Sequence, residues 1–411
     1  MMLYMTKRLG FKSILIWFIF VFFLGDAFAL SQWSRKYGVS CTRCHTSFPR
    51  LSSFGEKFMR NGYQWPRGEP DGGTTGKDEI SDNLSIDQVG NWLGARISLT
   101  PIDYKTNSII ENGKPEDSFD IGNSNWLQLF IAGSIYKDVS IFIEQEFEED
   151  GAKFNWYHLT FTNLSDSYVN FQIGNLSPVD FSPFSDRLRI WQKSDVLNLK
   201  SSGGKGENSI NIRSPRSGIQ YYGYKGPAML YAGVDNGKDS SDTDRQKNYW
   251  IGFKLEVPET AKGGMGSFKG SSFGYHFYTG TDTNNSEVDK VTNDFRRHTA
   301  SANIRYESSL DIQFVYQYGV DDNYDLANTA VKKNFTGFTF VGAYLTDPWF
   351  FVLQYDQIDS SDIPSLELQK LSPSIWFFPR ENFKAGIAGR IDINPDGPEE
   401  HELTLQLRAM F

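Results

Sequence analysis

The sequence predicts an all-β fold, a transmembrane antiparallel β-barrel of about sixteen strands preceded by a small α-helical segment. Three observations predict it. Aromatic residues make up 15% of the 411 residues while mean hydropathy is negative at −0.44, the balance that alternating strands with one wet face give. Beyond the first thirty residues no apolar run reaches the roughly 18 residues of a spanning helix, so any membrane residence must use strands. From Trp92 to Phe411 the chain falls into segments of about ten residues in which apolar and polar or small residues alternate, bounded by Gly, Asp, Asn, Ser or Pro. Net charge narrows the functional classes. With 41 Lys+Arg against 50 Asp+Glu, a net charge of −9 supplies no basic footprint, so no nucleic acid is expected as a partner.

Residues 1–29 read as a signal peptide. Lys7, Arg8 and Lys12 precede the apolar run Ile14 to Leu24, and Ala27-Phe28-Ala29 has the small-x-small form of a cleavage site. The protein is therefore expected to be exported.

Cys41, Cys44 and His45 follow as C-x-x-C-H, the signature of covalent haem c attachment. Two thiols three residues apart can both reach the vinyl groups of one porphyrin, and the next imidazole then lies on the iron axis as the proximal ligand. A redox disulfide and a zinc site compete with this reading. A thioredoxin-type pair belongs after a strand in a βαβ unit, whereas only about a dozen mature residues precede Cys41. Zinc needs a fourth ligand from a chain with four other His. One covalent haem c is the expected cofactor, with His45 on its iron. Leu51, Phe54, Phe58 and Tyr63 are expected to wall the haem from a short helix. Met59 on that helix is a candidate distal ligand, against the plainer reading of an ordinary packed apolar residue, with His158, His276, His298 or water as alternatives. Residues 30–80 are thus read as a monohaem c-type cytochrome domain that plugs the lumen or faces the periplasm, and residues 81–411 as the barrel.

Sixteen strands are expected to start near Trp92, Trp126, Val139, Phe154, Tyr168, Ser217, Ala228, Asn248, Ser271, Arg296, Leu310, Thr336, Trp349, Leu366, Phe383 and Glu402. The last is the clearest: Leu403, Leu405, Leu407, Ala409 and Phe411 share one face while Glu402, Thr404, Gln406 and Arg408 share the other. An even count suits a bacterial barrel whose two ends meet, and connections should alternate long and short. Pro101 to Asn125 and Leu176 to Arg216 read as long connections, and Lys137-Asp138, Lys225 to Pro227 and Asp347-Pro348 as turns. Pro258 to Gly270 breaks the alternation. A soluble sandwich also alternates, but at this length it needs a domain boundary that no linker supplies.

Within the barrel, Glu144, Glu146 and Glu148 share a face of the third strand and offer a cation path, against the plainer reading of a solvated lumen wall. Leu176 to Arg216 occupies the position at which general porins fold a loop into the channel, and Arg187, Arg189, Arg213 and Arg216 are expected to line it.

Taken together, the two halves resemble the fused monohaem cytochrome and porin proteins of the bacterial outer membrane, proposed iron oxidases of iron-oxidising bacteria. The resemblance is strongest over Lys36 to Gln64, in the run R-K-Y-G-x-S-C-x-x-C-H, then P-x-L, F-G and N-G-Y. It implies an outer-membrane protein in contact with lipid. Extracellular Fe(II) would give an electron to the haem by outer-sphere transfer, and a periplasmic electron-carrier cytochrome would receive it, with no catalytic acid or base. Outward electron flow, a porin with a structural haem, and a haem with an open site that reduces or senses a small ligand are the other readings.

Overall fold

The computed structural model describes residues 32–47, 49–69, 77–81, 84–87, 89–111, 114–122, 125–148, 151–189, 192–237, 245–284, 290–307, 309–393 and 400–410. The signal-peptide reading over residues 1–29 and the terminal Phe411 lie outside them. Sixteen strand positions form one closed antiparallel barrel. They are β1 (Leu93–Glu111), β2 (in two pieces, Lys114–Asp120 and Trp126–Tyr136), β3 (Val139–Glu148), β4 (Gly151–Phe161), β5 (Asn170–Leu176), β6 (Arg216–Lys225), β7 (Ala228–Asp235) and β8 (Asn248–Glu256). The second half comprises β9 (Ser272–Thr283), β10 (Thr292–Tyr306), β11 (Leu310–Asp321), β12 (Lys333–Thr346), β13 (Trp349–Asp359), β14 (Leu368–Arg380), β15 (Phe383–Asp392) and β16 (His401–Met410). Closure comes from β16 on β1, with Arg408 opposite Ser98 and Met410 opposite Arg96. Among the described residues the barrel leaves no edge strand of its own to be covered, which is what allows a sheet to stand in lipid.

The alternation is inverted relative to a soluble protein. On β16 Thr404 and Gln406 are buried inside while Leu403 is 50% exposed outside, and on β13 Gln354 and Asp356 point in while Trp349, Phe351 and Leu353 point out. Among the described residues no helix is long and apolar enough to cross a membrane.

Strand starts fall within about four residues of expectation, and the misses share a cause. β4, β10 and β12 begin earlier than expected, at Gly151, Thr292 and Lys333, because their polar first residues carry no apolar alternation. The stretch Pro101 to Asn125 is a correction: β1 runs on to Glu111 and pairs with Lys114–Asp120, so most of it is ladder. Pro101 misled because it cannot donate to a ladder. Here it lies opposite a register shift, where Thr100 and Pro101 face the single residue Gln406, and this bulge absorbs the missing N–H.

Two segments make contacts with the inner wall. Residues 177–215, between β5 and β6, fold inward as expected, with Val179, Val196, Leu197 and Ile212 buried. The far wall holds them: Arg390 grips Asp195 at 2.7 Å, Gln317 donates to the Val196 carbonyl at 2.8 Å, and the Ser202 N–H donates to Asp321 at 3.0 Å. Residues 32–69 lie against the inner wall at the opposite, short-turn end. Pro258 to Gly270, the connection that broke the alternation, carries a short 3-10 helix (Gly263–Phe268) and meets that segment through Glu259, 3.1 Å from Lys57.

Candidate functional site

The segment 32–69 contains two helices, α1 (Gln32–Tyr37) and α2 (Ser53–Arg60), with the cysteine motif between them. Cys41–Arg43 form a 3-10 turn capped by the Ser40 hydroxyl, which accepts from the Thr42 N–H at 3.1 Å. Glu381, at the β14–β15 turn, clamps this turn to the wall: it accepts from the Ser40 hydroxyl at 2.6 Å and from the Cys41 N–H at 2.8 Å. The His45 Nδ1 lies 3.3 Å from the Pro49 carbonyl. When Nδ1–H donates there, the lone pair sits on Nε2, the atom that would bind iron. Burial, partly opposed by the backbone of Pro49 and Arg50, brings the imidazole down to about 4, so it is neutral and ligand-competent at neutral pH. Burial, reinforced by Cys41, pushes the Cys44 thiol up to about 12. A thioredoxin-type pair needs the opposite shift.

The other short motifs now have physical reasons. A Cβ on Gly55 would sit 2.0 Å from the Cys44 carbonyl oxygen, so only glycine lets α2 pack on the cysteine turn. The Asn-Gly-Tyr triplet ends α2: Gly62 and Tyr63 are both left-handed, and the Tyr63 N–H donates to the Phe58 carbonyl at 2.9 Å in a Schellman closure. Gly62 also faces Ser140 on β3, where a Cβ would come within 2.5 Å of the hydroxyl. Tyr63 thereby stacks between Trp33 at 4.6 Å and Phe142 of the wall at 5.2 Å.

A cavity of about 960 Å³ opens beside the motif, large enough for a cofactor-sized ligand. Cys44, His45, Leu51, Phe58, Met59 and Tyr63 line it from the segment; Glu144, Glu146 and Glu148 line it from β3; Arg187, Arg189 and Arg213 line it from residues 177–215. Met59 therefore faces the same space as His45. His158 and His276 are buried on β4 and β9 but do not line this cavity, and His298 lies on the outer face of β10, against the Tyr275 hydroxyl at 2.7 Å. Cys44 and the neutral His45 imidazole stand at one edge of this mixed polar and aromatic cavity, while Cys41 and Phe54 face a small adjoining pocket with them, a donor set that fits a covalent haem.

The carboxylate row is held by neighbours rather than open. Gln128 donates to Glu144 at 2.6 Å, Asn155 donates to Glu146 at 2.7 Å, and Lys153 lies 2.9 Å from Glu148. Among the described residues no cluster of three His, Cys, Asp or Glu could hold a metal ion. Asp186 anchors the loop's arginines, 2.6 Å from Arg213 and 2.8 Å from Arg189. Burial alone would raise its carboxyl, but Arg189 and Arg213 outweigh it and hold it below the usual range. Arg187 touches the Tyr63 hydroxyl and stands 4.5 Å over the Phe142 ring. Arg216 does not line the cavity. It is fully buried at the top of β6, donating to the Asn211 carbonyl at 2.7 Å and lying 3.7 Å from Asp235.

Sequence reasoning missed Glu381 and the buried pairs that seat the segment. These are Arg50–Asp311 at 3.1 Å, Arg60–Glu256 at 3.0 Å and Lys254–Glu56 at 2.6 Å. Each joins residues far apart in the chain, so no local pattern marks them.

The sequence matches no protein-family model and no curated protein. The fold is that of outer-membrane porins. The outer membrane channel DcaP of Acinetobacter baumannii is similar at a TM-score of 0.51 and 13% identity, covering 78% of this chain and 97% of that one. OmpF of Salmonella typhi, in complex with daunomycin, is similar at 0.51 and 10% identity over 82% and 100%. OmpT of Vibrio cholerae is similar at 0.50 and 10% identity over 81% and 99%.

Proposed function

We propose that this chain is an outer-membrane electron conduit in which Cys41 and Cys44 hold one haem c, with His45 as its proximal ligand and Met59 on the distal side. The observation that carries the reading is that Cys44 and His45 line a cavity shared with Met59 and with the carboxylates of β3. When bound, the haem supplies a one-electron couple whose potential the axial ligands set. The chain's own residues do the rest. Glu144, Glu146 and Glu148 draw Fe(II) from the long-loop side, where each ferrous ion gives up one electron and leaves as Fe(III). The in-folded loop and the aromatic residues of the segment narrow the space around the motif, which favours electron passage over solute flow. On the periplasmic side Ser40, Thr42 and Arg43 are exposed at the mouth, where an electron-carrier cytochrome can dock. Ferric iron is poorly soluble near neutral pH, so keeping it outside while importing the electron is the advantage of such a device.

An anaerobic visible spectrum of the detergent-purified protein tests this. The α band of a c-type haem should rise within seconds of adding Fe(II). A haem that dithionite reduces and Fe(II) does not would remove the iron oxidase reading and favour outward flow. The second reading, a channel with a structural haem, is favoured by the porin fold itself. It requires a large single-channel conductance in planar bilayers.

A further inference from the structure

Arg187, on the in-folded loop, differs from its neighbours in what faces it. Arg189 and Arg213 share Asp186, at 2.8 and 2.6 Å. Arg187 has no carboxylate within ion-pair distance among the described residues. Its guanidinium touches the Tyr63 hydroxyl and lies over the rings of Phe142 at 4.5 Å, Tyr63 at 5.8 Å and Trp156 at 6.0 Å. Burial brings it down to about 10, and no neighbouring charge opposes the shift. It is therefore still a cation at neutral pH, and one without a counter-charge. Such a charge is costly out of water, and a carboxylate brought to it in bidentate contact removes the cost.

Tyr63 supplies a second donor. Its oxygen accepts from Arg187, and its own O–H has no acceptor among the described residues. The backbone there is left-handed, with φ at 59°, which a bulky residue adopts only at a cost, and such strain gathers where a side chain must be aimed. Both side chains line the cavity that Cys44, His45 and Met59 line.

The pair stands across that cavity from the cysteine turn. Cys41 is tied to Glu381 at the β14–β15 turn and faces Phe383 of β15 and Met410 of β16 in a small pocket. Phe142 and Trp156, beneath Arg187, belong to β3 and β4. Since β16, β1 and β2 lie between β15 and β3, four strand spacings, about 19 Å of wall, separate the two ends. A porphyrin bound through its vinyl groups carries its propionates on the opposite edge.

We propose that Arg187 and Tyr63 receive a propionate carboxylate of the haem, the guanidinium pairing with it and the phenol O–H donating to it. This rests on the haem reading above. A cation beside the porphyrin disfavours the oxidised, more positive haem and so raises its potential.

The test is spectroelectrochemistry on the full-length detergent-solubilised holoprotein, with resonance Raman spectra in the propionate bending region. Arg187→Met should keep covalent haem on a denaturing gel, lower the midpoint potential and shift the propionate band. Arg187→Lys, which keeps the charge, should leave the potential near wild type. Tyr63→Phe keeps the ring between Trp33 and Phe142 and should shift the band while moving the potential less. Lys153→Met removes a cation of the same cavity that already has carboxylate partners, and should leave the band in place. Stained haem with an unmoved potential and band in Arg187→Met overturns the subsite alone. So does a wild-type potential that follows added acetate, which would give Arg187 to a free anion. If Arg187→Met fails to fold, the Tyr63→Phe band decides, and an unmoved band overturns the subsite. Absence of covalent haem from the wild-type protein overturns the subsite and the haem reading together.

Discussion

The barrel wall and the segment it encloses are built by different rules. In the wall each strand is fixed by a hydrogen-bonded ladder with period-2 alternation, and no one residue is indispensable: Pro101 is accommodated by a bulge opposite Gln406. In residues 32–69 there is little ladder. The segment is seated by a few buried ion pairs to the wall, by aromatic stacking, and by two glycines that allow close approach. A distributed structure tolerates substitution, whereas one that hangs on single contacts does not.

The largest separation should come from Cys41→Ala or Cys44→Ala. Each should reduce or abolish covalent haem staining on a denaturing gel, while the heat-modifiable mobility of a folded barrel stays unchanged, since neither cysteine belongs to the barrel ladder. If the barrel failed to fold as well, the two regions would not be independent.

Gly55→Val comes next. Its side chain would meet the Cys44 carbonyl, so α2 and the cysteine turn must separate. Haem incorporation into the variant, read from its absorbance per protein, should fall several-fold with the barrel intact.

Arg50→Met leaves Asp311 without its partner in a buried place. The loss should be about 3–5 kcal/mol in denaturant titration. Asp311→Asn in the same chain should restore part of it.

Acidity probes the in-folded loop. Burial raises Asp180 to about 6, although Ser177, Ser185 and Trp156 all donate to it. A carboxyl whose native value lies above its unfolded one contributes stability that is complete below about 3.8 and is lost as pH rises through 6. Hydrogen exchange over residues 177–189 should therefore slow as pH falls from 7 to 4, after correction for intrinsic rates. Asp180→Asn should remove that dependence.

The smallest effect belongs to Arg67 and Asp138, 2.8 Å apart with Arg67 half exposed. Arg67→Ala should cost about 0.2–1 kcal/mol and vanish at high salt.

Much of the fold was readable in the chain because a strand repeats its instruction every second residue. Leu403 to Ala409 declare an outer face, Thr404 to Arg408 an inner one. The early ends of β10 and β12 were not readable, since Thr292 and Lys333 carry no apolar partner in alternation. Of the candidate site, the spacing of Cys41, Cys44 and His45 was legible in the sequence, and so was the place of Met59 on α2. Arg216 was misjudged, because an arginine that lines a channel and one sealed against Asn211 and Asp235 look alike in a sequence.

The sequence by itself determined the barrel, its strand number and the C-x-x-C-H turn, since each is written in neighbours a few residues apart. Only the tertiary structure decided that the turn opens on the lumen, that Glu381 holds it there, and that Arg187 meets Tyr63. Those relations join residues more than a hundred positions apart, and closing the barrel is what brings them within reach of one another.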